Sequence, residues 1–121
     1  YAGDRERPPF TLAANVTEGE TVIDAFNRLG FLAATIGNHE FDYGPLGPES
    51  MAKKPEDDPF GALKARIQQA KFPMLATNIY DADGKRPAWL PGDGTLMVEM
   101  KGVKIGLFGL TTPQTPYTTN P

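Results

Sequence analysis

No cysteine occurs among the 121 residues. That excludes a disulfide framework, a zinc ribbon, a thiol nucleophile and an iron–sulfur site. Histidine occurs once, at His39, so any site built from this sequence has a single imidazole to use. Neither sign of charge dominates: 15 acidic against 12 basic side chains leave a net −3. Such a balance gives no electrostatic footprint for a nucleic-acid polymer or an anionic membrane. Long apolar runs are missing too, and residues 31–36 and 105–110 fall far short of the ~20 residues that span a bilayer. The sequence opens on Tyr1 without a basic-then-apolar leader, which sets the expectation of a processed or truncated front.

What is present suffices for a packed core. Hydrophobic residues make up 40% of the chain, with seven Phe and one Trp, which argues against wholesale disorder. The length fits one domain or a piece of a larger one. With 13 Gly and 12 Pro the chain is rich in loops, and it carries no internal repeat.

Thr17-Glu18-Gly19-Glu20 has the spacing of a capping box, with the threonine hydroxyl and the glutamate carboxylate serving orphan amides. Val22, Ile23, Phe26 and Leu29 follow with helical period, and Gly30 stands where a C′ glycine closes a helix. Residues 31–36 read as a strand buried on both faces. Residues 37–58 form a polar, proline-rich loop, ending in Asp58-Pro59 as N-cap and first helical position. Phe60, Leu63, Ile67 and Ala70 then share one face of a second helix, and residues 73–80 read as a second buried strand. Asp81-Ala82-Asp83-Gly84 is a turn, and residues 95–100 and 103–109 are strands joined by Lys101-Gly102 in a tight hairpin. The segment after Leu110 reads as a loop. Helix, buried strand, helix, buried strand and hairpin make an α/β layered arrangement. Ligands in such sheets gather at the carboxyl ends of the strands.

Directly after the first strand stands Gly37-Asn38-His39-Glu40-Phe41-Asp42-Tyr43-Gly44. The glycine allows a sharp turn off the strand, and polar side chains crowd behind it. An Asn carbonyl is a hard oxygen ligand, an imidazole can bind metal or donate a proton, and a carboxylate nearby can orient that imidazole. Read from the residues alone, the same cluster also fits a polar turn that caps a helix. Near the front, Ala2-Gly3-Asp4 fits the end of another strand, where a carboxylate could bridge two metal ions, or a plain surface turn.

Together the two motifs resemble the second and third signatures of the calcineurin-like metallophosphoesterases, and most closely the 5′-nucleotidase branch. Similar stretches extend over Glu20-Thr21-Val22-Ile23-Asp24-Ala25-Phe26-Asn27-Arg28-Leu29-Gly30, over Phe72-Pro73-Met74-Leu75-Ala76-Thr77-Asn78-Ile79 and over Val103-Lys104-Ile105-Gly106-Leu107-Phe108-Gly109-Leu110-Thr111-Thr112. The resemblance implies an α/β fold, part of a layered β-sandwich flanked by helices. It implies a phosphohydrolase that releases phosphate from nucleotides with two divalent metal ions, Zn, Mn or similar. Asp4 then looks like the carboxylate that bridges the metals, and Asn38 like a ligand of the second through its amide oxygen. His39 looks like the catalytic histidine at a phosphoryl oxygen, with Asp42 holding its ring in orientation. Glu40 reads instead as helix N-terminal stabilisation. A periplasmic or secreted location is likewise implied by the resemblance.

The chain departs from the family at its ends. The Asp-x-His first motif and the later histidine ligands are absent, since His39 is the only histidine. The sequence after Asp4, Arg5-Glu6-Arg7-Pro8-Pro9, lacks the glycine often found there. Asp4 and Asn38 cannot fill a dinuclear site. The expectation is that residues 1–121 are an internal part of a catalytic domain, inactive alone. Same-fold alternatives are a cyclic-nucleotide phosphodiesterase and a sulfur-oxidation hydrolase. A scaffold domain that has lost its metals is the alternative from another class. The sequence sets no oligomeric state. Trp89, among Arg86, Pro87 and Pro91, reads as packing over a loop, and Asn15-Val16-Thr17 fits a glycosylation sequon that arises commonly by chance.

Overall fold

A computed structural model describes residues 17–49 and 51–119. Its elements run in the order α1 (Glu20–Leu29), β1 (Ala34–Thr35), a single 3₁₀ turn (His39–Phe41), α2 (Gly61–Gln69), β2 (Met74–Leu75), β3 (Thr95–Met100), β4 (Val103–Phe108) and α3 (Thr115–Thr118). The α/β alternation expected from the sequence is therefore present.

Helix α1 ends as its sequence dictates, with Gly30 in the left-handed region at φ 69° and its N–H returned to the carbonyls of Asn27 and Phe26. Its start differs from expectation. Glu18 and Gly19 both have positive φ, and Gly19 occupies the N-cap without any side-chain cap. Thr17 lies two positions before that cap, so its hydroxyl meets Thr21 Oγ1 at 3.2 Å and no capping box forms. Of the apolar stripe, Ile23 is buried, whereas Val22 and Leu29 stay exposed.

The two helices lie side by side through polar bonds. Asn27 donates to the Gln69 carbonyl at 3.0 Å and accepts from Lys71 N–H at 2.7 Å, so α1 caps the end of α2. At the other end of α2, Asp58 accepts from Phe60 N–H at 3.0 Å. The helix begins at Gly61 with Phe60 as N-cap and no side-chain cap, so the capping expected of Asp58 acts two residues early, on the N–H of the N-cap itself.

Strands β1 and β2 pair in parallel, Ala34 opposite Met74 and Thr35 opposite Leu75. Both are shorter than the apolar runs that contain them. Phe31 and Leu32 are 41% and 51% exposed, which corrects the expectation of a strand buried on both faces from residue 31. Phe31 instead stacks on Phe26 outside the ladder, with ring centroids 4.1 Å apart. Beneath the parallel pair, Ile23, Ile36, Leu63, Phe72, Met74, Ala76 and Leu90 form one core cluster. Ile36 is its centre at 0% exposure, a burial that contributes on the order of 1.5–3 kcal/mol.

Strands β3 and β4 form the antiparallel hairpin read from the sequence, with Met100 opposite Val103. Lys101 and Gly102 both take positive φ, 52° and 81°, the primed turn whose twist matches that of paired strands. The hairpin meets the parallel pair at one end, where Thr77 N–H donates to the Gly109 carbonyl at 2.9 Å. A side chain at position 109 could not fit, because a Cβ would lie 2.1 Å from the Leu75 oxygen. Residues 111–119 are loop except for the single helical turn of α3.

Candidate functional site

Strand β1 delivers the chain to Ile36, and Gly37 turns it off the sheet into the 3₁₀ turn at His39–Phe41, with Asn38 as N-cap and Asp42 as C-cap. A 3₁₀ helix has three residues per turn, so side chains at i and i+3 eclipse. His39 and Asp42 have that spacing. Nδ1 of His39 stands 2.6 Å from Oδ2 of Asp42, so the turn itself aligns imidazole and carboxylate. The His39 side chain remains 67% exposed while that of Asp42 is 29% exposed. The acceptor is sheltered and the ring faces outward.

Phe41, between them in sequence, is partly buried and packs against the core. It meets Phe60 edge-on at 5.9 Å and fixes the inner side of the turn. Glu40 folds back over Gly37, its Oε2 2.8 Å from where a Cβ at that position would stand. Asn38 donates through Nδ2 to Thr118 Oγ1 at 3.4 Å, which leaves its carbonyl oxygen on the other side of the amide.

Asn38, His39 and Asp42 are thus brought together at the carboxyl end of β1. Asp4 lies outside the described residues. Asn38 suits a hard divalent cation as one carbonyl oxygen donor. Among the described residues, no group of three or more His, Cys, Asp or Glu is placed to hold a metal ion. These residues therefore offer part of a metal site and not a whole one.

Beside the turn opens a cavity of about 620 Å³, lined among others by Phe41, Phe60, Tyr80, Trp89, Asn78 and Thr111. Trp89 does pack over a loop, stacking on Phe60 with centroids 5.6 Å apart. Lys64 Nζ lies 5.6 Å from the Trp89 ring and 2.6 Å from Asp58 Oδ2. The hydrogen bond from Lys64 holds the Asp58 carboxyl below its ordinary value. Burial opposes that shift, and the Phe60 N–H and the Lys64 charge add to it.

Two residues behind the turn were not singled out by their chemistry in the sequence. Asn78 and Thr111 form a reciprocal pair: Thr111 N–H donates to Asn78 Oδ1 at 2.9 Å, and Asn78 Nδ2 donates to the Thr111 carbonyl at 2.7 Å. Thr111, only 5% exposed, also donates its hydroxyl to the Ile36 carbonyl at 2.7 Å. The signal available was their position, Asn78 just past the buried β2 and Thr111 just past the hairpin strand β4.

No family model matches the chain. It is similar to a 5′-nucleotidase of Vibrio vulnificus, 30% identical over 108 residues that take in 89% of this chain and 16% of the relative. A snake venom 5′-nucleotidase of Naja atra is 30% identical over 124 residues, 99% of this chain and 20% of the relative. Among solved structures, the 5′-nucleotidase precursor of Thermus thermophilus superposes with a TM-score of 0.66 at 31% identity, over 91% of this chain and 18% of that one. The chain thus spans about one sixth to one fifth of the length of the relatives it matches. With the likeness running along nearly its whole length in both sequence and fold, the chain resembles the 5′-nucleotidase-like branch of the metallophosphoesterases and shares their α/β fold.

Proposed function

We infer that the polypeptide to which this segment corresponds is a phosphohydrolase that cleaves phosphate monoesters of nucleotides, with His39 and Asp42 as its acid–base pair. The observation that carries this reading is the 2.6 Å contact between His39 Nδ1 and Asp42 Oδ2 at the exit of β1. The activity for which the relatives are named, 5′-nucleotidase, supports the substrate class.

The roles follow from the geometry. Asp42 occupies Nδ1 and fixes the plane of the ring, so Nε2 is the atom left to face a phosphoryl oxygen. A donor held there stabilises charge that develops on the oxygen or gives a proton to the leaving group. Exposure of the His39 ring leaves it reachable by a ligand from solvent. Asn38, through its carbonyl oxygen, and Asp4 would be among the residues that hold two divalent ions. When bound, such ions neutralise phosphate charge and lower the pKa of water. No helix among the described residues is long and apolar enough to cross a membrane. A periplasmic or secreted location belongs to the same proposal, and the name of the venom relative supports it.

The test is release of phosphate from a nucleoside 5′-monophosphate by the full-length protein, before and after His39→Ala. The variant is expected to lose about 10²-fold or more in kcat, the contribution of a positioned acid–base group. Full activity in that variant would refute the assignment.

A further inference from the structure

We propose that Thr111 and Asn78 are positioning residues for the catalytic turn, clamping the strand end from which Asn38 and His39 depart. The proposal rests on the functional reading of His39 given above. It begins from an interruption in the sheet. In the parallel ladder, Ala34 N–H donates to the Pro73 carbonyl at 3.1 Å and Ile36 N–H to the Leu75 carbonyl at 3.0 Å. The next bond of that alternation would run from Thr77 N–H to the Ile36 carbonyl. Thr77 N–H instead turns to Gly109, at 2.9 Å. The Ile36 carbonyl would then be a buried acceptor without its ladder donor, which costs on the order of 1–3 kcal/mol.

Thr111 supplies the missing donor. Its hydroxyl reaches Ile36 O at 2.7 Å across 75 residues of sequence, and its own backbone is held on both polar groups by Asn78. Ile36 is three residues before His39, and only Gly37 and Asn38 lie between them. Gly37 has no side chain to anchor, so the direction in which the turn leaves the sheet is set at Ile36. The clamp therefore fixes the origin of the turn, while the Asp42 contact fixes the ring at its far end. A shift of about 1 Å at a catalytic group can cost 10²-fold in rate.

The experiment uses the full-length enzyme with a nucleoside 5′-monophosphate, at a temperature where each variant is fully folded by circular dichroism. Thr111→Val keeps the shape and removes the donor, and kcat is expected to fall about tenfold or more, the usual effect of removing an orienting partner, with KM little changed. Thr111→Ser keeps the hydroxyl and is expected to restore kcat. A residue that merely supported stability would lower the unfolding midpoint and leave kcat of the folded enzyme unmoved. Unchanged kcat in Thr111→Val, or a Thr111→Ser no better than the valine variant, overturns the proposal. Should Thr111→Val fail to fold, Asn78→Asp carries the same test, since it keeps the acceptor for Thr111 N–H and loses the donor to the Thr111 carbonyl. His39→Ala run in parallel separates the two readings. If it is inactive while the clamp variants are normal, only the clamp is wrong. If it is fully active, the functional reading falls and the clamp with it.

Discussion

His39 and Asp42 face one another across a single 3₁₀ turn, Nδ1 to Oδ2 at 2.6 Å, because residues three apart eclipse on that helix. Their alignment is local, and it depends on Asp42 offering a carboxylate, which accepts from the ring without presenting a competing N–H donor. In the full-length protein, Asp42→Asn is expected to lower kcat about 10–100-fold, with KM changed much less. Steady-state kinetics measure the split, and an unchanged kcat would remove Asp42 from the mechanism.

Asp58 links acid stability to the wall of the cavity. Lys64 holds its carboxyl below the ordinary value in the folded chain. A depressed folded value means stability that is present above the unfolded value of 3.8 and is lost as pH falls through the folded value. Asp58→Asn is therefore expected to cost stability at pH 7 and nothing at strongly acid pH. Its side chain is 44% exposed, so solvent screening limits the loss to about 0.5–1 kcal/mol. Urea unfolding at neutral pH and near pH 2 tests the sign.

Gly109 is required by proximity rather than by φ. A Cβ there would sit 2.1 Å from the Leu75 oxygen, against backbone that cannot move without breaking the Thr77 bond to Gly109. Gly109→Ala is expected to destabilise by about 2–3 kcal/mol, the range for overpacking a fitted contact. Denaturant midpoints read this directly.

Trp89 is the only tryptophan and stacks on Phe60, so its fluorescence reports the cavity. Phe60→Ala is expected to shift the emission to the red and to cost about 2 kcal/mol, less than a fully buried Phe because Phe60 is half-buried. An unshifted spectrum would show that the stack does not persist in solution.

Lys101 adopts φ 52° in the hairpin turn, a region that Asn tolerates far better than Lys. Lys101→Asn is expected to stabilise the chain by roughly 0.5 kcal/mol, seen as a higher unfolding midpoint.

What the sequence determined by itself was whatever a few neighbouring residues can enforce. The hairpin about Lys101-Gly102, the end of α1 at Gly30 and the turn from Asp81 to Gly84 occur where their residues place them, because backbone sterics act within four residues. Facing of His39 and Asp42 was legible for the same reason. Tertiary structure decided the rest. An apolar run cannot state how many of its residues will find a partner strand, so residues 31–36 yield a strand of only Ala34 and Thr35, with the last ladder bond made by Ile36 N–H. The Thr17 box lost to the left-handed turn at Glu18 and Gly19. The clamp of Thr111 on Ile36 joins positions 75 residues apart. No local pattern marks which threonine will stand beside an unpaired carbonyl, since that carbonyl is left without its ladder partner only when Thr77 turns toward Gly109.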